Sequence, residues 1–206
     1  RSVSVRVVGS PATAEQLDRR TDYAYNLTAT SQTITVRAVS AFGVVYGLET
    51  LTQLMSTGSV AACRIVDFPA KTHRGLHVDV ARHFLPLPLL KRTVAALGAA
   101  KMNVMHLHLT DSQSFPVVLP SAPELAAQGS FDQAQTYSVS DLRDLVSFAT
   151  PYGVRLVPEI DVPAHTLSWA KSHPELIVNC STHSKSSASA SDVPALDPST
   201  DQTFDV

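Results

Sequence analysis

Short apolar runs alternate with helical patterns from about residue 75 onward, and this alternation constrains the fold more than any other feature. Three runs predict strands: 75–80, 104–109 and 154–158. Residues 89–100 carry apolar side chains at helical spacing, and Ser140 is the predicted N-cap of a second helix that ends near Thr150. Strands that alternate with helices form parallel sheets, so this part of the chain is predicted to be α/β.

The first part of the chain has a different pattern. Three segments alternate apolar with polar side chains: 3–7, 23–27 and 34–38. That period is typical of antiparallel strands with one buried face, and residues 41–55 have the pattern of an amphipathic helix that packs on them. Pro69 marks a boundary, because proline ends regular structure. We expect a small α+β domain at 1–68 and a β/α domain at 69–206.

The number of strands is too small for a closed barrel. Residues 74–206 provide three clear strands, whereas an eight-stranded (β/α)8 barrel needs ~250 residues. The predicted fold is therefore the N-terminal half of a TIM barrel, preceded by a small domain with an antiparallel sheet. An open sheet leaves its edge strands unpaired, so we expect a second chain, a C-terminal segment or a duplicated copy to complete it.

The composition excludes some partners and favours one compartment. A net charge of -2, from 16 basic and 18 acidic residues, argues against nucleic acid or an anionic membrane as the partner. N-glycosylation sequons at Asn26 and Asn179 predict the secretory pathway, either lysosomal or vacuolar or extracellular. Cys63 and Cys180 are expected to pair with each other, with a further segment, or not at all.

Polar side chains collect at the ends of the predicted strands, where α/β folds place their chemistry. These are His73, Arg74, Asp79, Arg82, His83, His106, His108, Asp111, Glu159, Asp161 and His165. The period of two puts His106 and His108 on one face of their strand. A simpler interpretation remains for the last segment, in which Asp161 caps a turn and His165 is a polar residue without a catalytic role.

Three segments resemble the signature motifs of the β-N-acetylhexosaminidases of glycoside hydrolase family 20. They are 73–86, 101–116 and 157–169, and 44–51 is similar to a helix of the family's N-terminal domain. The resemblance implies retaining, substrate-assisted hydrolysis of terminal β-linked N-acetylglucosamine or N-acetylgalactosamine from glycoconjugates, without a cofactor or metal. It also implies a dimer partner.

The resemblance implies roles for individual residues. Arg74 would hold the sugar hydroxyls at positions 3 and 4, with Asp111 in the same neighbourhood and Glu159 as a less certain neighbour. Asp161 would orient the imidazole of His165, which tunes the catalytic acid. Two alternatives remain: Arg74 pairs with a carboxylate such as that of Asp79 or Asp111, and Glu159 is a buried structural residue.

The family's catalytic Asp-Glu pair follows two glycines, and no glycine follows Gly153 here. We therefore expect the pair outside this chain and no hydrolysis by the chain alone. A second hypothesis is a carbohydrate-binding protein that keeps the sugar pocket without the acid. A third is a metal-dependent hydrolase that uses His106, His108, Asp161 and His165. The Ser-rich segment 181–191 is expected to be a mobile loop open to proteolysis, and Ala164 replaces the family's glycine.

Overall fold

A computed structural model describes residues 2–10, 15–56, 58–178 and 195–205. The predictions for Asn179, Cys180 and segment 181–191 fall outside the described residues. The strands are β1 (Ser2–Val7), β2 (Tyr25–Ala29), β3 (Thr33–Ala38), β4 (Cys63–Asp67), β5 (Gly75–Asp79), β6 (Val104–Thr110) and β7 (Arg155–Ile160). The helices are α1 (Ala41–Met55), α2 (Leu87–Ala99), α3 (Pro123–Gly129) and α4 (Val139–Ala149).

The contacts of the described residues divide the chain into two units. The first comprises the residues up to Leu76 together with Arg92–Met105 and Ser147–Arg155. The second comprises His77–Lys91, His106–Val146 and the residues from Leu156 onward. Strands β5, β6 and β7 therefore begin in the first unit and end in the second. The domain boundary between residues 68 and 69 stays a prediction.

The first sheet has the strand order β1-β3-β2-β4. Strand β2 is antiparallel to both β3 and β4, as the alternating pattern predicts. The expectation of antiparallel pairing is wrong for β1, which runs parallel to β3 with Ser2 opposite Thr33. The buried face predicted for this strand is also absent, since all six residues of β1 are exposed. The period of two says nothing about the direction of a strand, because the direction depends on the connection between the strands.

Helix α1 covers one face of this sheet. Ser40 caps it, because its side chain accepts a hydrogen bond from Gly43 N at 3.0 Å. The helix lies close to the sheet at Gly47, where a Cβ atom would come within 2.5 Å of Val36 Cγ1. Only glycine fits at that distance. Leu27 and Val36, both fully buried, lie at the centre of the resulting core.

The second sheet has the order β5-β6-β7. Val104 N donates to Arg74 O, and further along the strands Val80 N donates to His108 O. Both strands therefore advance in the same direction, and the predicted parallel arrangement is confirmed. None of the described helices is long and apolar enough to cross a membrane.

Helix α4 (Val139–Ala149) begins two residues earlier than predicted. Ser138, and not Ser140, is its cap: Ser138 Oγ accepts from Asp141 N at 3.1 Å, and Ser138 N donates to the Asp141 carboxylate at 2.8 Å. This reciprocal pair is a capping box, in which a serine and an acidic residue three positions later satisfy each other's backbone amides. The spacing from Ser138 to Asp141 was the available sequence signal. Helix α3 was not predicted.

Candidate active site

Asp111 is the centre of the site and directly follows β6. Its side chain is 1% exposed. Oδ2 lies 2.8 Å from His108 Nε2 and 2.6 Å from Arg82 Nη2. Oδ1 accepts from Ser112 N at 2.6 Å and lies 3.1 Å from His165 Nδ1. Residues from three separate segments of the second unit thus converge on one carboxylate.

The surroundings keep Asp111 ionised. Burial by itself raises the pKa of a carboxyl group, because it disfavours the charged form. Hydrogen bonds from the Ser112 amide, His108 and His165, together with the charge of Arg82, outweigh burial and hold the pKa of Asp111 below its usual value. A buried carboxylate with four donors is a rigid anchor for the groups that contact it.

His108 lies between two carboxylates. Its Nδ1 is 2.6 Å from Glu159 Oε1, and its Nε2 is 2.8 Å from Asp111 Oδ2. Each ring nitrogen of His108 thus lies at hydrogen-bonding distance from a carboxylate oxygen. Burial lowers the pKa of His108, but the hydrogen bonds to Glu159 and Asp111 raise it above its ordinary value.

Glu159 points from β7 to the same face as the histidines of β6. Its Oε1 contacts His108, and its Oε2 contacts His106 Nε2. Burial raises the pKa of Glu159, but the hydrogen bond and charge of His108 and the charge of His106 outweigh burial and hold the pKa below its ordinary value. Both oxygens of Glu159 are thus held by imidazoles. Its predicted role beside the substrate stays a prediction.

Arg82 lies in the turn that follows β5. Asp79, the last residue of that strand, accepts the amides of Ala81 and Arg82 at 3.0 Å each. Asparagine and aspartate often close turns in this way. The same carboxylate binds Arg82 Nη1 at 2.6 Å. Burial raises the pKa of Asp79, but these hydrogen bonds outweigh it and lower the pKa.

The guanidinium of Arg82 is therefore fixed from two sides by Asp79 and Asp111 while its side chain remains 43% exposed. The hydrogen bond to Asp79 is the main cause that raises the pKa of Arg82, and the charges of Asp111 and Asp161 add to it. From the sequence, Arg82 is one of several polar residues near the strand ends, and no role is predicted for it. The signal was its position after the carboxyl end of β5, three residues beyond an aspartate.

Arg74 is placed differently from what the sequence predicted. It precedes the first residue of β5, whereas Asp79 is the last, and about 16 Å of strand separates them. Its Nε donates to Lys101 O at 2.8 Å, Nη1 to Lys71 O at 2.6 Å and Nη2 to Tyr46 OH at 2.7 Å. The guanidinium also lies 5.2 Å from the centre of the Tyr23 ring. Three of its five N–H donors are thus bound within the first unit.

The two carboxylates proposed as alternative partners of Arg74 are paired with another arginine. Asp79 and Asp111 both pair with Arg82. The partners of Arg74 among the described residues are two carbonyls and a tyrosine hydroxyl, so the ion pair is absent from that part of the chain. The misplacement has a physical reason: chemistry in β/α folds collects at the carboxyl ends of strands, and Arg74 lies at an amino end.

His165 is bound to a different aspartate from the one predicted. Among the described residues its ring is hydrogen-bonded to Asp111, whereas Asp161 donates its backbone amide to Thr110 Oγ1 at 3.3 Å. Among the described residues of this loop, the positive φ lies at His165, with φ 61°, and not at Ala164. A left-handed conformation costs a non-glycine residue ~1 kcal/mol and is often found at functional sites.

Two comparisons with sequence families match most of the chain. Residues 72–206 match "Glycosyl hydrolase family 20, catalytic domain", and residues 10–68 match "Glycosyl hydrolase family 20, domain 2". The human protein "Beta-hexosaminidase subunit beta" is 35% identical over 164 residues, which are 77% of this chain and 30% of the relative. "Beta-hexosaminidase 3" of Arabidopsis thaliana is 34% identical over 80% of this chain and 33% of its own length.

Solved structures agree in fold. A Flavobacterium johnsoniae chitobiase has a TM-score of 0.79 and 34% identity, over 92% of this chain and 29% of that one. A Vibrio harveyi exo beta-N-acetylglucosaminidase, solved with N-acetylglucosamine, has a TM-score of 0.70 and 28% identity, over 86% of this chain and 30% of that one. The chain spans about a third of the length of the human and Arabidopsis relatives.

Proposed function

Because the chain belongs to glycosyl hydrolase family 20, we propose that it forms part of a β-N-acetylhexosaminidase. The activity is removal of terminal β-linked N-acetylglucosamine or N-acetylgalactosamine from glycoconjugates. The observation that carries the proposal is the guanidinium of Arg82, held by Asp79 and Asp111 at the carboxyl ends of β5 and β6. A fixed, exposed guanidinium suits recognition of two adjacent hydroxyls.

In this proposal Arg82 takes the role that the sequence analysis gave to Arg74. A guanidinium has five N–H donors in a rigid fork. Two terminal nitrogens each donate one bond to a carboxylate, at 2.6 Å, and the remaining donors are available to a sugar. Asp111 orients the guanidinium of Arg82 and, together with Asp79, neutralises its positive charge. Glu159 supports Asp111 through His108 and does not itself have to touch the sugar.

His165 is proposed to act on the catalytic acid. Its Nδ1 is fixed by Asp111, and its side chain is 40% exposed, so Nε2 can face a group that is brought to the site. An imidazole oriented in this way tunes the proton affinity of a neighbouring carboxyl. Asp161 contributes its negative charge beside Arg82. In the family's mechanism the substrate's acetamido oxygen attacks the anomeric carbon, an aspartate positions it, and a glutamate protonates the leaving oxygen.

We propose that the aspartate and glutamate of that mechanism come from outside these 206 residues. Val157 and Ile160 of β7 are exposed, and β5 and β7 are the edges of the three-stranded sheet in the described residues. A C-terminal segment or a second chain would pair with these edges and complete the barrel. The assembled enzyme is proposed to be a dimer. The exposed sequon residue Asn26 on β2 supports a place in the secretory pathway, lysosomal, vacuolar or extracellular.

The test uses the native preparation with every polypeptide that copurifies. Two substrates share a 4-nitrophenol leaving group, one with N-acetyl-β-glucosamine and the other with β-glucose. The acetamido oxygen is the nucleophile in this mechanism, so only the first should be hydrolysed. Equal rates would refute participation of the acetamido group. Binding of N-acetylglucosamine without turnover would support the carbohydrate-binding hypothesis, and loss of activity with a chelator would support the metal-dependent one.

A further inference from the structure

The proposed function leaves His77 without a role. His77 lies on β5 and is exposed. Its ring is edge-on to that of His106, with 4.8 Å between centroids, and 5.6 Å from that of His108. Together with Glu159 these residues form what we call the histidine cluster: His77, His106, His108 and Glu159. The cluster lies on the face of the strands that also carries Asp111.

We propose that His77, His108 and Glu159 bind a divalent transition-metal ion, with Zn²⁺ as the best match. Each offers one ligand atom, and these atoms all lie within 4.8 Å of one another. Two imidazoles and one carboxylate are a ligand set that zinc accepts, with one position left for water. Zinc sites with bonds of ~2.0–2.1 Å hold their ligands about 3.4 Å apart. Because His108 Nδ1 and Glu159 Oε1 lie 2.6 Å apart, this pair has to open by about 0.8 Å, and the exposed side chain of His77 has to move toward it.

The neighbours of the ligands provide a second observation. Metal-binding histidines commonly donate their other ring N–H to a carboxylate, which fixes the ring. His108 does so: its Nε2 faces Asp111 Oδ2 at 2.8 Å while Nδ1 faces Glu159 Oε1 at 2.6 Å. The ion would replace the direct hydrogen bond between Nδ1 and Oε1 and bind both atoms. His106 holds the other oxygen of Glu159. Asp111 and His106 thus orient His108 and Glu159 from the sides that a metal ion would leave free.

A second group of possible ligands is a poorer candidate. His108, Asp111 and Asp161 also bring ligand atoms within 4.8 Å of one another. There Arg82 Nη2 already contacts Asp111 at 2.6 Å, so a metal ion would face a guanidinium. In the histidine cluster, by contrast, the three ligands come from β5, β6 and β7. A bound ion would join these three strands and stabilise the sheet by mass action.

The test measures metal content and does not depend on hydrolysis. The native preparation is dialysed against micromolar Zn²⁺, and bound zinc is measured by mass spectrometry together with the melting temperature. We expect one zinc per chain and a higher melting temperature with zinc. His77→Leu should weaken zinc binding by more than about tenfold and abolish the thermal shift, while hydrolysis stays unchanged.

His173→Gln is the matched control, because His173 contacts Glu124 and Glu175 and lies outside the histidine cluster. It should keep the zinc. His77→Gln repeats the test if the leucine variant does not fold. Absence of zinc from the wild-type protein, or equal zinc in wild type and both His77 variants, would overturn the proposal. Neither result bears on the hexosaminidase activity, which is assayed separately.

Discussion

Replacing Arg82 separates its proposed role from that of Arg74. Each hydrogen bond from a charged donor contributes about 1.5–3 kcal/mol, so loss of two bonds to sugar hydroxyls costs about 3–6 kcal/mol of transition-state binding. Arg82→Ala should therefore lower kcat/KM about a hundredfold to ten-thousandfold. Asp111 keeps three other donors, from His108, His165 and the Ser112 amide, so the variant should still fold.

Arg82→Lys refines this experiment. It preserves the charge between Asp79 and Asp111 but removes the planar fork, so its kcat/KM should lie between those of the wild type and the alanine variant. The assay is hydrolysis of 4-nitrophenyl N-acetyl-β-glucosaminide by the native assembly. Circular dichroism and the melting temperature report on folding.

Arg74→Ala is the matched control. It removes donors to Lys101 O, Lys71 O and Tyr46 OH, so it should lower the melting temperature. The kcat/KM of the folded fraction should change by less than about threefold, since Arg74 has no contact with the site in this proposal. If Arg74→Ala abolishes hydrolysis in a folded protein while Arg82→Ala spares it, the reasoning is refuted and the sequence-based assignment is right.

Three further predictions concern stability and modification. Burial raises the pKa of Asp67, but hydrogen bonds from Tyr25 and Lys101 bring it below the ordinary 3.8. The ionised carboxylate therefore stabilises the fold above that value, and this stabilisation is lost as the pH falls below it. Asp67→Asn should flatten the dependence of the melting temperature on pH below about pH 4. A variant that keeps the wild-type acid dependence would contradict this. Ser138→Ala should cost about 1 kcal/mol in denaturant unfolding by removing the cap of α4, and an unchanged midpoint would show that the cap is dispensable. Asn26→Gln should remove one glycan from the intact mass of the secreted protein, and an unaltered mass would leave that sequon unused.

The two carboxylates of the site, Asp79 and Asp111, show which contacts the sequence pattern can predict. Asp79 and Asp111 both stand at the ends of apolar runs, so their place at the carboxyl edge of a parallel sheet could be read from the residues. The distant partner of Asp111 could not be read in this way. Asp79 binds a residue three positions away, whereas Asp111 binds His165, which is 54 positions away. The first contact follows from a turn, but the second depends on how β6 and β7 pack.

Helix ends show the same limit at shorter range. The apolar spacing located the start of α4 to within two residues, but Ser138 and Ser140 are both plausible caps by composition. Only the reciprocal bonds between Ser138 and Asp141 decide between them. Strand direction was also open to error, as the parallel pairing of β1 with β3 demonstrates.

The sequence by itself determined the alternation of strands and helices, the buried faces of β2 and β3 and the three motifs, because these depend on periods of two and 3.6 residues and on residue identity. The tertiary structure decided which arginine reaches Asp111, which aspartate holds His165, and that His77 meets His108 and Glu159. Those outcomes depend on which residues of separate strands face one another, and strand register is set by packing across the whole sheet rather than by any short segment.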